Sequence, residues 1–133
     1  MDSLSSNAMN RSFDELPVLF GRAITFSREV APGDFLVSST DFAGSNAGEI
    51  IRALGERGVA AVIARSFGDV LLHAAIEAGL PPLIVEETGA IKTGDRLRVD
   101  IEAHTIANLS SGDRYVIRNM SDEEIEMLRA RRA

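Results

Sequence analysis

The hydrophobic and polar positions of the chain divide it into alternating strand-like and helix-like segments. Residues 35–38 (FLVS), 59–64 (VAAVIA) and 83–85 (LIV) are short apolar runs of strand length. Between them, apolar side chains recur at helical spacing from Asn46 and again from Ser66. Strands separated by helices in this way call for parallel pairing with crossover helices. The pattern predicts a layered α/β fold with a parallel strand–helix–strand–helix–strand centre.

The pattern changes in the last third of the chain. Leu97, Val99 and Ile101 alternate with charged residues, and the turn SSGD leads into a second β-rich segment, RYVIR. Such alternation is typical of an antiparallel hairpin with one solvent-facing side. The final segment, SDEEIEMLRARR, has a serine cap, acids in its first turn and arginines in its last, as a helix dipole favours. We therefore expect a C-terminal antiparallel hairpin followed by a helix.

Individual residues mark the predicted ends of these elements. Pro32-Gly33 has the composition of a turn, and Gly58 and Gly79 are expected to end helices in the left-handed conformation. Ser66 with Asp69 three residues later resembles a capping pair for the second helix. The apolar side of that helix is predicted to comprise Val70, Leu71, Ala74, Ala75 and Ala78.

Length and composition limit the possible functions of the chain. A chain of 133 residues is most simply one domain, which we place at residues 16–133, after a disordered segment or expression-tag remnant at residues 1–15. The net charge of −6 argues against binding to nucleic-acid phosphates. No apolar run approaches the roughly 20 residues that span a bilayer. The N-terminus also lacks the features of a signal peptide, so we expect a cytoplasmic protein without a membrane partner.

The residue inventory limits metal chemistry. The chain has no cysteine, which excludes disulfides, a thiolate nucleophile and an iron–sulfur cluster held by this chain alone. Only His73 and His104 offer imidazoles, so we predict no metal site. His73 lies within the second predicted helix, and His104 is expected to face solvent in the turn EAHT.

Two loops follow predicted strands and precede helices, where free backbone N–H groups and the helix dipole attract anions. The first contains Gly44, Ser45, Asn46, Ala47 and Gly48. Its glycines allow close backbone approach, and its serine and asparagine add donors. The same residues also make good turns and caps, and the residues alone favour the turn interpretation.

The second loop contains Arg65 and Ser66. Arg65 is a candidate for binding an anionic ligand, but the residues alone favour a solvated charge at the strand end. Ser66 is either a helix cap or a ligand-binding hydroxyl, and the residues alone favour the cap. Neither loop is a P-loop or a dinucleotide fingerprint, because the lysine and the glycine spacing are missing.

Several segments, in order, resemble the swivelling small domain of the aconitase superfamily, in its form as a separate small subunit of 3-isopropylmalate dehydratase. Residues 58–87, GVAAVIARSFGDVLLHAAIEAGLPPLIVEE, resemble the family's strand, SF turn, helix and GLP strand entry. Residues 94–115 resemble its late hairpin with the motif I-x-N-L, and GRAITF resembles its opening strand. The resemblance covers roughly residues 21–115 and implies a swivelling β/β/α domain.

The family's key loop, N-F-G-x-G-S-S-R-E-H, corresponds to residues 41–50 of this chain. There the resemblance implies a serine that acts on the substrate proton and an arginine that grips a substrate carboxylate. Phe42 and Glu49 keep the spacing, and one alignment retains the serine as Ser45 while another puts Asn46 there. Neither alignment recovers the arginine. The family's early segment D-T-D-x-I-I-P is missing as well, and Ala74 replaces an asparagine in the later helix.

The resemblance implies the small subunit of a hydro-lyase. Such a subunit would close over a small hydroxy-diacid substrate held by a large aconitase-like subunit that carries a [4Fe-4S] cluster. This chain would not be catalytic alone, and Ser45 is its candidate catalytic residue. Because the arginine is missing, a second interpretation is a degenerate swivel domain, a non-catalytic binding or regulatory module that keeps only the fold.

Overall fold

The computed structural model describes residues 18–25, 29–38 and 47–132. The predicted N-terminal segment, residues 1–15, lies outside this part of the chain. The strands are β1 (Leu19–Ile24), β2 (Phe35–Val37), β3 (Ala61–Ala64), β4 (Pro82–Ile84), β5 (Arg96–Asp100), β6 (Thr105–Asn108) and β7 (Arg114–Val116). The helices are α1 (Ala47–Glu56), α2 (Asp69–Glu77) and α3 (Asp122–Arg132), with a 3-10 turn at Thr88–Ala90.

The strands form one curled mixed sheet in the order β4-β3-β2-β1-β5-β6-β7. Pairing is parallel from β4 to β1 and antiparallel from β1 to β7. The predicted parallel centre, α/β class and C-terminal hairpin are confirmed. The sequence pattern did not predict that β5 pairs with β1, because that contact joins segments about 75 residues apart and leaves no local trace.

The two faces of the sheet bury different residues, since side chains alternate along each strand. On one face, Leu36 and Val62 pack with helices α1 and α2. On the other face, Phe35 and Ile63 pack with the inner residues of the antiparallel strands and with helix α3. Burial of each large aliphatic side chain contributes roughly 1.5–3 kcal/mol, so these two clusters hold the layers together.

The glycine predictions are confirmed, and the capping prediction at the second helix is wrong. Gly33, Gly58 and Gly79 all have positive φ, at turns or helix ends. Helix α2 begins after Gly68, which has φ −63° and ψ 149° and makes no side-chain cap hydrogen bond. The turn of residues 65–68 thus ends one residue before the helix, and Ser66 lies too far from its first turn to cap it.

Two further side chains differ from expectation. Val70 is 86% exposed, because its direction in the first turn of α2 points away from the sheet, and only Leu71, Ala75 and Ile76 of that helix are buried. His104 is half-buried instead of solvent-facing. It has φ 60°, and its Nε2 lies 2.8 Å from the carbonyl oxygen of Met120. That hydrogen bond ties the β5–β6 turn to the segment before α3.

The segment after β7 returns to strand β4 at the far end of the sheet. The backbone N–H of Arg118 donates to the Ile84 carbonyl at 2.8 Å. The side chain of Asn119 accepts from the Ile84 N–H at 2.9 Å and donates to the Pro82 carbonyl at 2.7 Å. The amide side chain of Asn119 thus makes the hydrogen bonds to β4 that a neighbouring strand would otherwise make. The edge of the curled sheet at β4 is therefore covered.

The C-terminal helix is fixed at both ends. Ser121 and Glu124 form the reciprocal capping box, with the Glu124 N–H donating to Ser121 Oγ at 3.2 Å and the Ser121 N–H donating to Glu124 Oε1 at 2.9 Å. Near its other end, Arg129 pairs with the carboxylates of Glu102 and Glu126. The predicted serine cap is confirmed, and the ion pair between Arg129 and Glu102 attaches α3 to the β5–β6 turn.

Candidate functional site at the carboxyl edge of the parallel strands

The carboxyl ends of β1, β2, β3 and β4 meet along one side of the sheet, which we call the carboxyl edge. The Ser38 N–H donates to the Ile63 carbonyl at 2.8 Å, and the Val85 N–H donates to the Ala64 carbonyl at 3.0 Å. These bonds hold the chain exits of β2, β3 and β4 side by side. The loops into α1 and α2 both start here, so the topology brings the two loops singled out in the sequence to the same edge, where open α/β sheets bind ligands.

The first loop is described only at its end. Gly44, Ser45 and Asn46 lie outside the described residues. Ala47 and Gly48 form the first turn of α1, and Gly48 is exposed with open space around the position of a Cβ. The accessible first turn of a ten-residue helix supplies backbone donors at the edge.

The second loop places a cation and a hydroxyl at the same edge. Arg65 follows β3 directly and is exposed, and Ser66 is half-buried beside it. Within the described part of the chain, neither side chain has a hydrogen-bond or ion-pair partner. Gly68 begins α2 without a side-chain cap, so among the described residues no side chain caps the first turn of that helix. The helix-cap explanation for Ser66 therefore no longer applies.

One ion pair and one pair of hydroxyl groups lie at the same edge. Glu86, just after β4, forms an ion pair with Arg118 at 3.2 Å, and both side chains are more than half exposed. At the end of β1 the Thr25 N–H donates to Thr93 Oγ1 at 3.0 Å, and the two hydroxyl oxygens lie 2.6 Å apart. Arg65, by contrast, has no ion-pair partner among the residues described.

Asn108 belongs to the family motif I-x-N-L, and the structure shows that its role is architectural. Its Oδ1 accepts the N–H groups of Ser110 and Ser111, each at 3.1 Å, which shapes the turn between β6 and β7. Its Nδ2 donates to Asp95 at 2.9 Å and to the Tyr115 hydroxyl at 3.3 Å. The sequence motif singled out Asn108 but did not predict which groups it forms hydrogen bonds with.

Asp95 stands at the start of β5, where the chain passes the carboxyl edge. Its Oδ2 accepts the Lys92 backbone N–H at 3.0 Å as well as the Asn108 amide. The Lys92 N–H, and after it the Asn108 amide, lower the pKa of the Asp95 carboxyl below its ordinary value, because both donors favour the charged form.

The described ranges contain no group of three or more His, Cys, Asp or Glu side chains that could hold a metal ion. His73 is exposed on α2. None of the helices in those ranges is long and apolar enough to cross a membrane.

The chain is similar in sequence to the small subunits of several enzymes. The chain is 38% identical over 104 residues to 3-isopropylmalate dehydratase small subunit 1 of Archaeoglobus fulgidus, an alignment that covers 77% of this chain and 65% of the relative. It is 36% identical over 104 residues to the 3-isopropylmalate dehydratase small subunit of Wolinella succinogenes, covering 77% and 62%. It is 32% identical over 120 residues to the methanogen homoaconitase small subunit of Methanothermobacter thermautotrophicus, covering 88% and 69%.

The fold agrees with these relatives. The crystal structure of 3-isopropylmalate dehydratase (LeuD) from Methanocaldococcus jannaschii superposes with a TM-score of 0.76 at 24% identity, covering 86% of this chain and 89% of that one. No protein-family model matches the chain. The chain spans less than two thirds of the length of the Archaeoglobus and Wolinella relatives. With the swivel-domain architecture and these relatives together, the chain belongs to the aconitase-superfamily small subunits that include those of 3-isopropylmalate dehydratase and homoaconitase.

Proposed function

We propose that the chain is the small subunit of an aconitase-type hydro-lyase and closes over a hydroxy-diacid substrate held by a large, cluster-bearing subunit. The observation that supports the proposal is family membership together with the parallel strands, whose carboxyl ends share one edge with the start of α2. The alternative to this proposal is that the chain is a degenerate, non-catalytic swivel domain. Location in the cytoplasm stays a prediction.

The substrate carboxylate is proposed to bind Arg65. A guanidinium suits a carboxylate because its parallel N–H groups match the two oxygens. Arg65 is exposed at the carboxyl edge and lies beside the hydroxyl of Ser66 and the uncapped start of α2. This arrangement would compensate for the arginine that residues 44–48 lack. Ser45 remains the candidate for moving the substrate proton, with Gly44, Asn46, Ala47 and Gly48 as backbone or side-chain donors around it.

The iron–sulfur cluster is assigned to the partner. The chain has no cysteine, so its residues do not fit a [4Fe-4S] cluster, whose irons are held by thiolates. The contribution of this chain is to orient the substrate and exclude water, which is how closing subunits accelerate such reactions. Neither role requires a metal ligand here.

Reconstitution tests the proposal. The chain should be mixed with the aconitase-like large subunit of the same organism, loaded with its cluster, and the dehydration of several hydroxy-diacids followed by the ultraviolet absorbance of the unsaturated product. We expect a stoichiometric complex and activity that neither chain has alone. A complex without activity would support the degenerate-domain interpretation, and the absence of a complex would reject the small-subunit role.

The Arg65 assignment has its own test in the active complex. Arg65→Ala should lower kcat/KM by about 30-fold or more, because it removes a charged hydrogen bond to a substrate carboxylate. Arg65→Lys should recover part of that loss, since it keeps the charge without the planar fork. The matched control is Arg52→Ala, an exposed arginine on α1, which should leave kcat/KM within about twofold. Equal effects of the two alanine variants would contradict the assignment.

A further inference from the structure

The outer side of the antiparallel strands carries a set of arginines that the site at the carboxyl edge does not use. Residues directly opposite each other on paired strands share a face. Phe20 pairs with Arg98, Arg98 with Ala107, and Ala107 with Arg114, so these four form one row across β1, β5, β6 and β7. Arg22 opposite Arg96 forms a second row. Asp100, Thr105 and Val116 form a third row. We call this surface the arginine face; it comprises Phe20, Arg22, Arg96, Arg98, Asp100, Thr105, Ala107, Arg114 and Val116.

No described element covers the arginine face. Helices α1 and α2 lie over the parallel strands, and α3 packs on the opposite side of the sheet. Phe20 is 63% exposed and Val116 is 52% exposed. Four strands at a spacing of about 4.8 Å give the face a width of roughly 15 Å, enough for the centre of a protein interface.

The charges of the arginine face are unbalanced within the chain. Arg22 pairs with Asp34 at 3.1 Å, whereas Arg96, Arg98 and Arg114 form no ion pair among the described residues. Asp100, a carboxylate on the same side, is engaged by the N–H of Ala103 in its own turn at 3.1 Å. Carboxylates from another molecule would supply partners for Arg96, Arg98 and Arg114.

We infer that the arginine face binds an acidic surface of the large subunit, an inference that rests on the proposed function. Charge complementarity selects this occupant. The face is positive in a chain whose net charge is −6. A second copy docking through the same face would set arginines against arginines. Phe20 and Val116 supply the apolar contacts that accompany arginine in interface centres.

Charge reversal within one row tests the inference. The double variant R98E/R114E alters two arginines that lie away from the carboxyl edge. The matched control R52E/K92E makes the same change in net charge at two exposed residues elsewhere. Affinity for the cluster-loaded large subunit is measured by biolayer interferometry at low and high salt, and thermal unfolding by circular dichroism confirms that each variant is folded.

We expect the R98E/R114E variant to bind the large subunit about 100-fold more weakly than the wild type, and the control variant within about threefold. Wild-type binding should weaken with salt, and the R98E/R114E variant should lose most of that salt dependence. At saturating large subunit, both variants should keep the wild-type kcat.

The outcomes separate this inference from the proposed function. If the wild type binds no large subunit, the proposed function itself fails. If the wild type binds and R98E/R114E binds equally well, only the arginine-face inference is overturned. Two further results would overturn it. One is self-association of the wild type that R98E/R114E abolishes. The other is binding of the wild type to a fluorescent single-stranded oligonucleotide that R98E/R114E abolishes.

Discussion

At the scale of single residues, Gly21 occupies a position in β1 that has no room for a side chain. A Cβ at this position would clash with the carbonyl oxygen of Gly33 and would lie 3.1 Å from a ring carbon of Phe35. The oxygen belongs to the backbone of the tight turn before β2, so it has little freedom to withdraw. The absence of a side chain at residue 21 lets β1 lie against that turn.

We predict that Gly21→Ala and Gly55→Ala change stability in opposite directions. Gly21→Ala should lower the free energy of unfolding by about 1–3 kcal/mol, because the new methyl group has no room. Gly55→Ala should raise it by about 0.5–1 kcal/mol, because Gly55 lies in α1 with open space around it and alanine favours helix. Urea denaturation of both variants checks the signs, and a destabilising Gly55→Ala would contradict the helix argument.

Asp95 gives a prediction for the dependence of stability on pH. Its pKa is lowered in the folded chain, first by the Lys92 N–H and then by Asn108. Its stabilising contribution is therefore complete above its unfolded pKa of about 3.9 and is lost as pH falls through the lower folded value. The difference in unfolding free energy between wild type and Asp95→Asn should be constant from pH 5 to 7 and shrink below pH 4. An increasing difference in acid would reverse the assigned sign.

At the scale of elements, the sequence predicted the strands whose pattern of apolar and polar residues is local. The runs at residues 35–38 and 59–64 became buried parallel strands, and the alternation of Leu97 and Val99 became an antiparallel strand with one buried face. Contacts between distant segments could not be predicted in the same way. The pairing of β1 with β5 and the hydrogen bonds of Asn119 to β4 leave no periodic pattern in the sequence. Each joins segments that are far apart along the chain.

The candidate site was predicted only in outline. Placing both loops at the carboxyl edge followed from the parallel order. The local pattern S-x-x-D suggested a cap at Ser66, but the backbone extends through Gly68 before the helix begins, and no side chain caps it. Cap motifs in sequence report hydrogen bonds that are possible, while the path of the loop decides which of them forms.

A substitution series at Asn119 should separate its two hydrogen bonds to β4. Asn119→Ala should lower the free energy of unfolding by about 1–3 kcal/mol, because the Ile84 N–H and the Pro82 carbonyl lose their partner. Asn119→Asp keeps the acceptor for Ile84 but sets a carboxylate oxygen against the Pro82 carbonyl oxygen, so at neutral pH the loss should be at least as large as that of Asn119→Ala. Chemical denaturation gives the order. Equal stability of all three proteins would show that Asn119 does not support the edge.

At the scale of the whole molecule, the proposed substrate site is shared between two subunits. The described part of the carboxyl edge offers Arg65, Ser66 and two helix starts, but little enclosure, because Arg65 and Gly48 are exposed. An open surface screens charge and leaves water to compete for the donors. The isolated chain should therefore bind a dicarboxylate much more weakly than the complex does.

Titration of the isolated chain with citrate-like diacids should show this weak binding. We expect the amide signals of Gly48 and Ser66 to shift in two-dimensional NMR spectra with a dissociation constant on the order of millimolar, corresponding to about −4 kcal/mol. The Arg65→Ala variant should shift less, and Arg52→Ala should behave as the wild type does. Unchanged signals at saturating diacid would mean that the two loops act as turns only.

The closure of β4 by Asn119 also restricts how any partner can approach the molecule. An exposed edge strand invites another chain to add to the sheet by backbone hydrogen bonds, in strand addition. At β4 the Ile84 N–H and the carbonyls of Pro82 and Ile84 are already bonded to residues 118–119. A protein binding at this end must therefore recognise side chains and not backbone, and the same protection guards the strand against edge-to-edge aggregation.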